Sequence, residues 1–152
     1  MIERVRGGDL LDARVEALVN PVNTAGVMGK GLALAFRRRF PANFAAYERA
    51  CRAGEVRIGR MFVFDAGETR DGPRWIVNFP TKEHWRSPSR LEFVESGLAA
   101  LVREVRERGI ATIAVPALGC GLGGLDWSHV SPIVERAFEG LSGVRALVYE
   151  PR

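Results

Sequence analysis

Twice in this chain a short apolar run ends in a glycine-rich segment and passes at once into a helical stripe. The first instance is Ala17-Leu18-Val19, followed by Asn20 to Gly31 with glycines at 26, 29 and 31, then Leu32, Ala33, Phe36 and Phe40 on one helical face. The second is Ala111 to Val115, followed by Leu118-Gly-Cys-Gly-Leu-Gly-Gly-Leu125, then Val130, Ile133, Val134, Ala137, Phe138 and Leu141. A strand feeding a helix through glycines leaves backbone N–H groups free to approach an anion, and the helix N-terminus adds positive potential. Loops of this kind belong at strand C-termini in an α/β domain, and they suit the phosphates of a nucleotide.

The rest of the chain fits that class. Ile2 to Arg6 predicts a strand, turned by Gly7-Gly8-Asp9. Pro41 breaks the first helix, and Phe44, Tyr47 and Cys51 predict a second. Met61 to Phe64 and Trp75 to Phe79 are strand-like runs around the turn Asp71-Gly72-Pro73. Ser89-x-x-Glu92 predicts a capping box for a long helix through Leu91, Val94, Leu98, Leu101 and Val105, ended by Gly109. The last helix starts near Pro132, with Ser128 or Ser131 as its cap, and Val144 to Tyr149 is the last strand. Strands alternating with helices predict a three-layer α/β architecture in one domain, 1–152. No apolar run approaches the ~18 residues of a membrane span, and the N-terminus lacks a signal-peptide core. Cys51 and Cys120 have neither metal-ligand nor paired spacing, so no metal or cofactor and a cytoplasmic location are expected. The net charge of +4 suits phosphate-rich partners and serves solubility equally well.

Gly119-x-Gly121-x-x-Gly124 formally fits the dinucleotide fingerprint, but it lies too late in the chain for a second mononucleotide half to follow. The first loop is not a P-loop, because Gly31 follows Lys30 where Ser or Thr is required. Cations are almost all arginine; Lys30 and Lys82 are the exceptions, and lysine can deprotonate where arginine cannot. Lys82 lies in Thr81-Lys-Glu-His-Trp-Arg86, a polar, cationic and aromatic cluster expected just after a strand. Cys120 with His84 or His129 is an alternative nucleophile and base, weighed against a small residue in a crowded loop.

Gly8-Asp-Leu-Leu11, Ala17-Leu-Val-Asn-Pro-Val-Asn23 and Gly119 to Leu125 resemble the opening strand, first ligand loop and diphosphate loop of the macrodomain family, over essentially the whole chain. Asn78-Phe-Pro-Thr-Lys-x-His-Trp-Arg86 and Gly119 to Trp127 are more specific. They resemble the branch that holds the protein-directed terminal ADP-ribose glycohydrolases and the DNA ADP-ribosyl glycohydrolase antitoxins, the latter most of all.

The resemblance implies a six-stranded mixed sheet between helices, with ADP-ribose along the strand ends. It places Asp9 and the Leu10 backbone at adenine, with Tyr149 nearby, and Asn23 at the distal ribose. Gly29, Lys30 and Gly31 with Gly119, Cys120, Gly121, Leu122 and Gly123 would enclose the diphosphate, and Thr81 would line the ligand beside Lys82, the branch's catalytic lysine. One departure is Gly123, where the protein-directed relative carries an aspartate. The implied enzyme is a hydrolase that takes ADP-ribose from DNA bases as antitoxin to a DNA ADP-ribosyltransferase toxin. The alternatives are a hydrolase of ADP-ribosylated acidic side chains and a non-catalytic ADP-ribose reader. Trp85, Arg86 and Arg90 are the residue types that stack on bases and contact phosphates of single-stranded DNA, and they fit equally a buried tryptophan beneath surface arginines. The end at Pro151-Arg152, directly after a strand, is compatible with an N-terminal domain of a longer protein.

Overall fold

The computed structural model describes residues 1–152. In chain order the elements are β1 (Ile2–Val5), a 3-10 turn (Leu10–Asp12), β2 (Ala17–Asn23), α1 (Gly31–Arg39), α2 (Pro41–Arg52) and β3 (Phe62–Asp65). They continue with β4 (Trp75–Lys82), α3 (Leu91–Arg108), β5 (Thr112–Val115), a 3-10 turn (Gly121–Gly123), α4 (Trp127–Glu139) and β6 (Arg145–Tyr149). The six strands form one sheet in the order β1-β6-β5-β2-β4-β3. Five run parallel, and only β3 is antiparallel, against β4. This is the three-layer, six-stranded mixed architecture expected from the sequence.

Alternation along the buried strands separates the two faces. Ala17, Val19, Val77, Phe79, Ile113, Val115, Ala146 and Val148 pack under α3 and α4, in a cluster with Leu98, Leu101 and Val134. Leu18, Ile76 and Ala114 face the other way, toward Phe36 of α1 and Leu10 and Leu11. Val22, Met28, Tyr47 and Ala50 form a third cluster beneath α2. Asn20, Asn43 and Asn78 are fully buried, and their side-chain amides hydrogen-bond across β2, β4 and α2. No helix is long and apolar enough to cross a membrane.

Register explains where the sheet opens. β2 pairs with β4 along its whole length, from Ala17↔Trp75 to Asn23↔Lys82. It pairs with β5 only at Ala17↔Ile113 and Leu18↔Ala114. Beyond that point β2 has a single neighbouring strand, and β2 and β5 part at the place where the strand order reverses and a ligand crevice is expected.

Apart from one-residue shifts at the ends of β1, β3, β5 and β6, the structure departs from the sequence expectation at four places. β2 continues through Pro21 to Asn23, and β4 continues through Pro80 to Lys82. Pairing of β5 with β2 stops at Leu18, and that of β3 with β4 at Asn78, so both prolines lie in edge-like stretches that tolerate them. Lys82 is therefore the last residue of a strand rather than part of the loop after it. The capping box does not form: Arg90 is the N-cap of α3 without a side-chain cap bond, and the Ser89 hydroxyl is used elsewhere. α4 starts at Trp127 under Asp126, whose carboxylate accepts from the Ser128 N–H, and Pro132 falls inside the helix.

Candidate active site

Every parallel strand points its carboxyl end toward the same rim. Asp9 follows β1, the segment from Asn23 to Gly31 follows β2, and Lys82 ends β4. The Gly119 loop follows β5, and Tyr149 ends β6. Residues far apart in sequence thus share one edge of the sheet, at the position where ligands bind in open parallel sheets.

The loop after β2 is organised by Asn23, which is 5% exposed. Its Oδ1 accepts the N–H groups of Ala25 (2.9 Å) and Val27 (3.3 Å), and its Nδ2 donates to the Val27 carbonyl at 2.8 Å. The buried Tyr47 hydroxyl donates to the Asn23 carbonyl (2.6 Å) and lies 2.9 Å from its Oδ1. Burial pushes the Tyr47 phenol far above its ordinary range. Asn23 thus holds the curve of the loop, which delivers the chain to Lys30, the exposed N-cap of α1.

The loop after β5 comes to meet it. A side chain on Gly31 would touch Leu122 Cδ1 at 3.7 Å. Leu122 itself is 66% exposed, lying across the gap between the two glycine loops. Gly119 has φ +74°, and a Cβ there would meet Leu125 Cδ1 at 2.6 Å, Ser89 Oγ at 3.0 Å and Val94 Cγ2 at 3.2 Å, so neither the backbone nor the space admits a side chain. Gly121, at φ +65°, has nothing within 4 Å of its Cβ position: its backbone is open to a ligand.

Lys82 Nζ donates to the Trp85 carbonyl at 3.1 Å, which holds the amine over the turn that follows β4. That turn carries a stack. The His84 and Trp85 rings lie 4.8 Å apart with a 31° tilt, and the Arg86 guanidinium sits 4.4 Å over the Trp85 ring. His84 Nδ1 accepts the Arg86 N–H at 3.1 Å, which fixes the turn. Trp85 is 42% exposed, so it is not a core residue beneath surface arginines. Arg90 is exposed at the start of α3, 5.7 Å from the Phe93 ring.

At the other end of the rim, Asp9 caps the 3-10 turn by accepting the Leu11 N–H at 2.9 Å. Leu10 is buried beneath it. Tyr149 is half-buried, and burial together with the charges of Asp9 and Asp12 raises its phenol pKa.

Neither His84 nor His129 hydrogen-bonds the Cys120 thiol. Burial and the charge of Asp126 raise the Cys120 pKa, which keeps it protonated, and its only polar contact is 3.8 Å to the Leu118 carbonyl. Thr24 and Ser89, which the sequence does not single out for the site, both contact the segment around Lys82. A lone threonine carries no pattern, and Ser89 is hidden by its fit to a helix-capping signature.

Sequence and fold are similar to those of known proteins. The Macro domain family model matches residues 19–134. A Mycobacterium tuberculosis protein named DNA ADP-ribosyl glycohydrolase is 57% identical over 144 residues, covering 95% of this chain and 41% of that protein. The solved macrodomain of Mycobacterium tuberculosis DarG superposes with TM-score 0.97 at 55% identity, covering 100% of this chain and 99% of that one. Thermosipho africanus DarTG, solved in complex with ADP-ribose, gives TM-score 0.89 at 38% identity over 95% of this chain and 40% of its own. The chain spans about two-fifths of the length of the curated DNA ADP-ribosyl glycohydrolases it matches.

Proposed function

The chain belongs to the macrodomain family, and from that premise we propose that it is a DNA ADP-ribosyl glycohydrolase, the antitoxin activity that reverses a DNA ADP-ribosyltransferase. The observation that carries this reading is the convergence of Lys82, the two glycine loops and Asp9 on one rim of the sheet. Backbone N–H groups of the Gly29–Gly31 and Gly119–Gly123 loops bind the diphosphate, with Cys120, Leu122 and Lys30 around it. Asp9, the Leu10 backbone and Tyr149 hold the adenine end, while Asn23 and Thr81 border the distal ribose. Asn23 acts by shaping the loop, since both ends of its amide are engaged there.

Cleavage at the distal ribose proceeds through an oxocarbenium-like transition state. Two routes fit Lys82. In the first, its neutral amine attacks the anomeric carbon as the base departs with the bonding pair, and water then hydrolyses the adduct and restores the amine. In the second, the charged amine stabilises the leaving group while water attacks. Substitution by arginine separates them, because arginine stays protonated.

Three features support a nucleobase on single-stranded DNA as the modified group. By the resemblance read in the sequence, Gly123 stands where the protein-directed relative has an aspartate. The exposed Trp85 ring, backed by Arg86, offers a stacking platform next to Lys82, and Arg90 adds charge for the strand beyond. The 55% identity to the DarG macrodomain spans the whole chain. We place the enzyme in the cytoplasm, where its two free thiols are stable, as one macrodomain of a longer antitoxin whose partner is the cognate toxin. The test is kcat/KM on an ADP-ribosylated oligonucleotide against an ADP-ribosylated glutamate peptide. The oligonucleotide should be processed faster; faster processing of the peptide would promote the protein-directed alternative.

A further inference from the structure

The backbone around Lys82 is gripped from both sides. The Lys82 carbonyl accepts the Thr24 N–H at 3.2 Å. The carbonyls on either side of it accept hydroxyls: Glu83 O from Thr24 at 2.8 Å, and Thr81 O from Ser89 at 2.5 Å. Each hydroxyl ties the segment around Lys82 to a different ligand loop, Thr24 as part of the loop after β2 and Ser89 by its contact with the loop after β5. Thr24 directly follows Asn23, in the turn that leads to Gly29–Gly31. The Ser89 N–H donates to the Gly123 carbonyl at 2.9 Å, and Ser89 Cβ lies 3.0 Å from where a Gly123 Cβ would stand. Ser89 is 6% exposed and wedged between the lysine strand and the β5 loop.

We propose that Thr24 and Ser89 are positioning residues of the hydrolysis: their hydroxyls fix the Lys82 backbone against both glycine loops. Seating a diphosphate in those loops then sets the distance from the amine to the anomeric carbon. The inference rests on the reading of Lys82 as the catalytic lysine. Lysine has a long, flexible stem, and its reach is defined only as well as its Cα is held. A misplacement of about 1 Å at a reacting centre can cost on the order of 100-fold in rate. Neither hydroxyl needs to touch substrate, because each is already donated to a carbonyl beside the lysine.

The experiment uses the whole chain. For Ser89→Ala, Thr24→Val, Thr24→Ser and Lys82→Ala, kcat and KM are measured on an ADP-ribosylated oligonucleotide, and free ADP-ribose binding by calorimetry. Ser89→Ala and Thr24→Val should lower kcat by about tenfold or more, leave KM and ADP-ribose affinity within about twofold, and Thr24→Ser should retain turnover. Unchanged kcat in both hydroxyl-deleted variants overturns the proposal. So does a loss confined to KM and ADP-ribose affinity, or a Thr24→Ser variant as impaired as Thr24→Val. Should Ser89→Ala fail to fold, the half-buried Thr24 pair decides alone. Lys82→Ala separates the two levels. Turnover surviving in it refutes the catalytic lysine and the clamp together, whereas an inactive Lys82→Ala beside fully active hydroxyl variants refutes only the clamp.

Discussion

Adding one methyl group at Gly119 and at Gly121 should have unequal effects, though both glycines lie in the same loop with left-handed backbones. A non-glycine residue in that region costs about 1–2 kcal/mol, and this applies to both positions. At Gly121 nothing lies within 4 Å of the new Cβ, so the backbone cost is the whole effect. At Gly119 the Cβ would stand 2.6 Å from Leu125 Cδ1 and 3.0 Å from Ser89 Oγ, and that oxygen is held by the Thr81 carbonyl and cannot simply rotate away. Overpacking of this kind adds about 1–3 kcal/mol. In a domain of this length each kcal/mol moves the melting temperature by about 2–4 °C, so Gly119→Ala should melt roughly 2–12 °C below Gly121→Ala in scanning calorimetry. Binding should show the opposite sensitivity when bulk is added to the open position. Gly121→Trp should fold yet weaken free ADP-ribose by more than about tenfold, some 1.4 kcal/mol, because the ring occupies the space through which the backbone meets the diphosphate. Equal melting of the two alanine variants, or undiminished ADP-ribose affinity in Gly121→Trp, would refute the assignment of one glycine to packing and the other to the ligand.

Lys82→Ala should abolish turnover while calorimetry shows ADP-ribose still bound; Lys82→Arg should stay inactive if the amine attacks as a free base and regain activity if only its charge is needed. Arg86→Ala and Arg90→Ala should raise KM for a modified oligonucleotide more than they weaken free ADP-ribose, and should flatten the salt dependence of kcat/KM, since fewer condensed counterions are released. Equal effects on oligonucleotide and free ligand would remove the strand contact. Tyr47→Phe strips the Asn23 carbonyl of a buried donor and should cost about 1–3 kcal/mol in denaturant titration, with ADP-ribose affinity falling as the loop loosens. The raised Tyr47 and Tyr149 phenols set a sign for alkaline stability. Above about pH 10 the unfolded phenols ionise first while the folded ones keep their protons, so the native melting temperature should fall as pH rises through that range. Tyr47→Phe should fall less steeply, and a slope unchanged in that variant would mean that the buried Tyr47 phenol is not the cause.

The parts of this fold legible in the sequence are those encoded by local pattern. The two strand–glycine–helix units, the αL stop at Gly109 and the strand leading to Thr81-Lys82 all lie close to where periodicity and glycine spacing put them. The departures come from tertiary context. Pro21 and Pro80 look like strand breakers, and only the loss of a neighbour beyond Leu18 and Asn78 makes them harmless. Ser89-x-x-Glu92 satisfies a capping signature locally, but the carbonyl of Thr81 competes for the hydroxyl and takes it. Asp126 outcompetes Ser128 and Ser131 as the cap of α4 because its carboxylate reaches the Ser128 N–H and hydroxyl together. In the candidate site, glycine spacing points to the loops, whereas scarcity marks Lys30 and Lys82 alike and only the family resemblance singles out Lys82. The bonds between Asn23 and Tyr47, or between Ser89 and Gly123, join residues whose distance in the chain carries no pattern.

An arginine-rich surface with lysines only at positions 30 and 82 also makes the crevice chemically addressable. The chain has one other primary amine, and the Met1 ammonium is engaged by the Val144 carbonyl at 2.7 Å. Amine-selective reagents therefore have two side-chain targets, Lys30 after β2 and Lys82 at the end of β4, both on the rim proposed to hold ADP-ribose, and a bound ligand should shield both from acylation. A lysine-specific protease would cut the unfolded chain into segments 1–30, 31–82 and 83–152. If the Lys82 adduct opens its ribose ring to the imine, hydride from borohydride would fix the sugar on the amine, block the second cut and leave 31–152 intact, a missing cleavage visible by mass spectrometry.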